Sequence, residues 1–98
     1  MIKALSESDA IAASQLHAQG FETGWDVKTF GTYFVKDLCF GYFKDKRLLA
    51  FIVCAVAVDQ AEIITIVTHP DQRGKGYARA LLDVTVKELI TRGVTVLF

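Results

Sequence analysis

Residues 67–82, Val67-Thr68-His69-Pro70-Asp71-Gln72-Arg73-Gly74-Lys75-Gly76-Tyr77-Ala78-Arg79-Ala80-Leu81-Leu82, hold the chemistry of this chain. A strand-like apolar run enters the stretch, and an amphipathic helical pattern leaves it. The turn between them carries two glycines and the basic residues Arg73, Lys75 and Arg79. Such a layout points backbone N–H groups and a helix N-terminus at one small volume. That volume suits an anion, most naturally a phosphate or pyrophosphate.

The elements that must hold this turn follow from periodicity. Ile2 to Leu5 forms a short strand. Ser6-Glu7-Ser8-Asp9 reads as a helix start, an N-cap serine with an acid three residues on. That helix runs through Leu16 and stops near Gly20. Residues 21–26 form a loop with two large aromatics, Phe21 and Trp25. Asp26 caps a second short helix through Phe30 and Phe34. Leu38 to Phe43, Leu48 to Val58 and Ala61 to Thr68 form strands, joined by turns at Lys44-Asp45-Lys46-Arg47 and Asp59-Gln60. Ala78, Leu81, Leu82, Thr85, Val86, Leu89 and Ile90 mark the buried face of a last helix. Gly93 ends it, and Val94 to Phe98 begins another strand. The order β-α-α-β-β-β-α-β predicts a mixed α/β sheet. Short turns make an antiparallel meander, and the last helix is a crossover between two parallel strands.

Composition narrows the function. Ninety-eight residues predict one domain spanning 1–98, and a 52% apolar fraction is enough for a core. The 11 basic and 11 acidic residues cancel, so no general case exists for a nucleic-acid or anionic-membrane partner. The basic turn stands out against that neutral background and suits a small ligand. The N-terminus lacks the pattern of a signal peptide. The apolar run Leu48 to Val58 is well short of the roughly 20 residues of a membrane helix. Cys39 and Cys54 lie in strand-like segments without metal-ligand spacing, so no metal is expected. Two reduced core thiols predict a cytoplasmic protein.

Two phosphate motifs fail. The P-loop pattern needs Lys-[Ser/Thr] directly after its second glycine, and here Tyr77 follows Gly76. The dinucleotide pattern needs a third glycine where Arg79 stands. A nucleotide-binding protein is thereby disfavoured. The pattern that fits is Arg73-x-x-Gly76-x-Ala78. With its preceding strand, His69-Pro70-Asp71 and Ala80-Leu81-Leu82, it resembles the GNAT superfamily of acetyl-CoA-dependent N-acetyltransferases, and the element order fits that fold. Phe21 to Trp25, Phe30 and Arg92-Gly93-Val94 resemble the RimI-like ribosomal-protein-alanine N-acetyltransferases. Those enzymes acetylate the N-terminal amine of a small-subunit ribosomal protein.

The resemblance implies acetyl-CoA as cofactor. Arg73, Gly74, Lys75, Gly76, Tyr77, Ala78 and Arg79 then cradle its pyrophosphate, and Ile66, Val67 and Thr68 pair by main-chain bonds with the pantetheine arm. Acetyl transfer to an amine needs a base, an oxyanion donor and a proton for the leaving thiolate. By position in the family, Glu62 is the candidate base and the Val67 N–H the oxyanion donor. The other reading of Glu62 is a solvated residue at a strand start. Phe21 and Trp25 line an acceptor groove or simply pack the loop onto the core. His69 touches a phosphate or serves the turn; His17 has no partner visible in sequence. Tyr33, Tyr42 and Tyr77 do not match the general-acid position.

RimI-like enzymes carry their acidic base on the strand that begins here at Val94 and their tyrosine acid in the following helix, both beyond Phe98. The resemblance therefore implies a C-terminally truncated domain lacking the last helix and the last two strands. Its uncovered terminal strand is expected to support a homodimer. The acceptor is expected to be a protein N-terminus. The rivals are an acetyl-CoA-binding fragment without catalysis and an acetyltransferase for a small amine.

Overall fold

The computed structural model describes residues 1–20 and 25–98. Five strands form one sheet in sequence order: β1 (Ile2–Ala4), β2 (Leu38–Lys44), β3 (Arg47–Ala57), β4 (Gln60–Thr68) and β5 (Val96–Leu97). The first three pairings are antiparallel and β4–β5 is parallel, as the crossover requires. The helices are α1 (Ala10–Gly20), α2 (Val27–Lys36) and α3 (Tyr77–Thr91). The predicted element order is the observed one.

Alternate residues of β3 divide the core between two faces. Phe51 and Val53 join Ala13, Leu16, Phe30 and Phe34 under α1 and α2. Ala50 and Ile52 meet Leu81 of α3 on the opposite face. The two cysteines divide in the same way. Cys39 lies with Val53 and Phe51, whereas Cys54 lies with Leu89 and Ala61. Both thiols are free and buried. Burial, reinforced by the Asp37 carboxylate, pushes the Cys39 thiol up to about 12 and raises Cys54 too.

Local chemistry sets the ends of the elements. The α1 helix is led in by a 3-10 turn, Glu7–Asp9, where the Asp9 carboxylate accepts the Ser6 N–H at 2.9 Å. Asp26 accepts the Thr29 N–H at 2.8 Å and caps α2 as expected. Gly93, at φ 80, closes α3: its N–H donates to Ile90 and that of Val94 to Leu89, each at 3.0 Å. This is a Schellman closure, and Val94 packs beside Leu89.

Two expectations shift. The hairpin after β3 turns at Val58 and Asp59, one residue earlier than Asp59-Gln60, so the strand ends at Ala57. Val58 is 95% exposed at φ 56, a conformation that a β-branched side chain rarely adopts. Cross-strand register, with Ala57 opposite Gln60, imposes that turn on it. Ile90 is 68% exposed and not on the buried face, which comprises Leu81, Thr85 and Leu89. Ile90 follows Leu89 by about 100° round the helix, which carries it off the stripe that meets the sheet, while Leu89 itself packs on Cys54 and Ala61.

An irregularity in β4 matters for the site. Val53 pairs with Thr65 but Cys54 with Ile63, so Ile64 is an extra residue in the ladder. Ile63 packs on the α3 face and Ile64 on the α1–α2 face.

Candidate functional site: a strand edge leading into an anion turn

A cavity of about 490 Å³ opens where β4 passes into α3. Ile66, Val67, Thr68, Arg73, Gly74, Gly76, Tyr77, Ala78 and Arg79, all singled out in the sequence, line it together with Gln72. The lining holds two arginines and, among the described residues, no acid. Gln72 is the residue that the sequence reading missed. Its side chain accepts the Lys75 Nζ at 3.0 Å, and its only signal was a polar side chain beside Arg73. Lys75 belongs to the turn but is not among the cavity's lining residues.

The donors of the cavity are backbone groups. Gly76 is the N-cap of α3 at φ 81 and supplies no side-chain oxygen to the helix start, whose first turn has no acidic residue. The first N–H groups of a helix have no intrahelical acceptor, so those of Tyr77, Ala78 and Arg79 are available to an anion, aided by the helix dipole. A Cβ built on Gly74 or Gly76 meets nothing within 4 Å. That space is what a close-approaching phosphate needs.

The edge of β4 continues the site. The His69 N–H donates to the Leu49 carbonyl at 2.7 Å. Hydrogen-bonded pairs alternate along an antiparallel ladder, so Val67, opposite Phe51, turns its N–H and C=O toward β3. Ile66 and Thr68 turn theirs the other way. The expectation that Val67 donates its N–H to an oxyanion therefore gives way to Ile66 and Thr68. The extra residue Ile64 produces this change, because it reverses the parity along the strand. β5 meets β4 at its start, with ladder bonds reaching Ile63 from Phe98 at 3.1 Å. Among the described residues, no strand pairs with β4 from Ile64 to Thr68 on that side.

Glu62 is exposed and lies outside the anion cavity, in a smaller one of about 200 Å³ with Gln60, Ala61 and Phe98. Phe21 lies outside the described residues. Trp25 is half-buried in an aromatic stack, 5.2 Å from Tyr33 and 5.1 Å from His17 between ring centres. Tyr77 stacks on Tyr42 at 4.1 Å, which anchors the start of α3.

His17 proves to be a core residue, 3% exposed, whose Nδ1 accepts the Trp25 N–H at 3.3 Å. Burial pushes its imidazole below the ordinary 6.5. The folded chain thus holds the neutral ring, and near and below pH 6.5 the unfolded chain binds more protons. Stability is complete above that value and falls as pH drops through it toward the lower folded value. Urea midpoints from about pH 8 to about pH 5 should fall in the wild type, with a smaller fall in His17→Phe.

A mixed α/β sheet whose fourth strand, among the described residues, keeps an unpaired edge and runs into a glycine-rich basic turn has the shape that an extended, phosphorylated ligand would fit. A model of the acetyltransferase (GNAT) family matches residues 8–98, and the chain belongs to that family. It is 35% identical over 98 residues to the ribosomal protein bS18-alanine N-acetyltransferase of Salmonella typhimurium, covering 99% of this chain and 66% of that protein. The crystal structure of the ribosomal-protein-S18-alanine N-acetyltransferase from Escherichia coli superposes with a TM-score of 0.90 at 31% identity. That match covers 99% of this chain and 63% of the other. The PaiA N-acetyltransferase of Thermoplasma acidophilum, solved in complex with coenzyme A, shares the fold at 19% identity. Its TM-score is 0.84, over 96% of this chain and 74% of that one. The chain thus spans slightly less than two thirds of the length of the first of these relatives. Among the described residues, no helix is long and apolar enough to cross a membrane.

Proposed function

We propose that this chain binds acetyl-CoA and that the protein transfers the acetyl group to a primary amine, the N-terminal amine of a protein. One observation carries the reading: a cavity with two arginines, backbone donors and no described acid, continuous with an unpaired strand edge. Membership in the acetyltransferase family and the names of the relatives at 31–35% identity support it.

The residues present fit the cofactor. Arg73, Arg79 and the N–H groups at the start of α3 would hold its pyrophosphate, with Lys75 at the rim. The backbone of Ile66 and Thr68 would hold its pantetheine arm as an added strand. Acetyl-CoA supplies an activated thioester. An N–H from Ile66 or Thr68 would stabilise negative charge on the reacting carbonyl oxygen, because a fixed donor costs no reorganisation. Glu62, four residues back along β4, would take a proton from the acceptor amine. At about 3.3 Å per residue that places its Cα roughly 13 Å from Ile66, so a water must link them. Trp25 and Phe21 would flank the acceptor. Strand β5 and the Phe98 that follows it are exposed, and self-association along the strand belongs to the same reading; light scattering measures it.

An acceptor panel tests the reading. Peptides with a free N-terminal amine should be acetylated, and the same peptides with a blocked N-terminus should not. Glu62→Gln should lower kcat by about 100-fold while KM for acetyl-CoA holds. Turnover of small amines alone would replace the protein acceptor. Saturable acetyl-CoA binding without turnover of either class would reduce the chain to a cofactor-binding domain.

A further inference from the structure

A second cavity, of about 410 Å³, lies between α1, the β2–β3 turn and the end of β4. It shares no residue with the cavity at α3. Gln15, Gln19, Lys46, Arg47 and His69 supply its polar lining, and no Asp or Glu is among its described lining residues. Lys46 stands at φ 65 in the tight turn, beside Arg47.

The protonation of His69 gives this cavity its meaning. Its Nδ1 accepts the Asp71 N–H at 3.1 Å. An imidazole that accepts at one nitrogen carries its proton on the other, so Nε2 bears the hydrogen. In the tautomer that the Asp71 contact assigns, the Nε2–H faces Arg47 Nη2 at 3.1 Å. A guanidinium has only donors, so two donors meet here with no acceptor between them. Arg47 forms no ion pair among the described residues. A third donor, the Lys46 ammonium, lies at the same cavity, and no described acid there neutralises it or the Arg47 guanidinium.

We propose that this cavity binds a phosphate-type oxyanion, with Arg47 and the His69 Nε2–H donating to it and Lys46 adding charge. One anionic oxygen satisfies both facing donors and turns their opposition into two hydrogen bonds, at least one of them charge-assisted. Gln15 and Gln19 offer amide donors on the α1 side. The ligand is a phosphomonoester on a larger molecule or free phosphate; both present the same oxygens.

Inorganic phosphate, titrated into the whole chain and followed by isotope-edited NMR of the His69 ring and Arg47 side chain, tests this. Saturable shifts of both groups are expected. Arg47→Gln should weaken binding roughly tenfold or more, the worth of one charge-assisted bond. Gly76→Glu, which alters only the turn at α3, should leave the affinity unchanged. Arg47 is exposed, so the variant keeps its fold. Coenzyme A against its 3′-dephospho form separates the sources, an arm that rests on the function proposed above. A selective loss of coenzyme A affinity in Arg47→Gln assigns the oxyanion to that ligand, and an unchanged affinity assigns it to free phosphate. Absence of any saturable shift at His69 and Arg47, or equal phosphate affinity in Arg47→Gln, overturns the proposal and leaves water as the bridging oxygen.

Discussion

Gly76→Glu should abolish coenzyme A binding in a chain that stays folded. Gly76 sits at φ 81 at the N-cap of α3, and a side chain there costs about 1–2 kcal/mol of backbone strain. Nothing lies within 4 Å of the built Cβ, so a side chain can leave the backbone there without a clash at its first carbon. The glutamate carboxylate enters the volume reserved for the ligand and satisfies the N–H groups at the start of the helix. Losing two charge-assisted bonds at about 1.5–3 kcal/mol each predicts a fall of roughly 100-fold or more in affinity. Gly76→Ala should show the strain alone, with weakened but measurable binding. Calorimetry and far-UV circular dichroism, measured on the same samples, separate the two effects. Equal affinity in wild type and Gly76→Glu would remove the turn from the site.

Phe30→Ala should bring the chain close to unfolding. Phe30 is fully buried, with ring centres of His17, Trp25, Phe34 and Phe51 all between 5.2 and 5.7 Å away. It ties α1, α2 and the start of the second helix's loop to the central strand. Truncating a buried phenylalanine costs about 3–5 kcal/mol, against a total stability of about 5–15 kcal/mol for a small domain. The urea midpoint should drop steeply, and the Trp25 fluorescence change should coincide with loss of helix. Phe30→Leu should recover much of the loss. A decrease below about 1 kcal/mol for the alanine variant would mean that the aromatic cluster is not a structural centre.

The parts of this site that could be read from the chain are those written in local chemistry. Gly74 and Gly76 both adopt positive φ, and glycine spacing beside basic residues is a signal that needs no tertiary information. The α3 face showed itself at Leu81, Thr85 and Leu89 because one periodic stripe packs on one sheet. Ile90 escaped because an apolar pattern does not show how narrow a stripe of the helix meets the sheet. Val58 escaped because an unbroken apolar run does not mark where two strands change partners. Which residues of β4 turn their N–H outward is not legible in the sequence either. Whether Ile63-Ile64 contains a bulge depends on pairing with Val53 and Cys54 of β3, and a bulge changes which backbone groups face outward. The meetings of His17 with Trp25 and of Arg47 with His69 likewise need folded register before they exist.

Calorimetric titration of acetyl-CoA into the folded chain decides whether it holds the cofactor. Saturable one-to-one binding of micromolar strength is expected, with protection of the Ile66 and Thr68 amides from exchange on complex formation. Absence of saturable heat from a chain shown to be folded would contradict it.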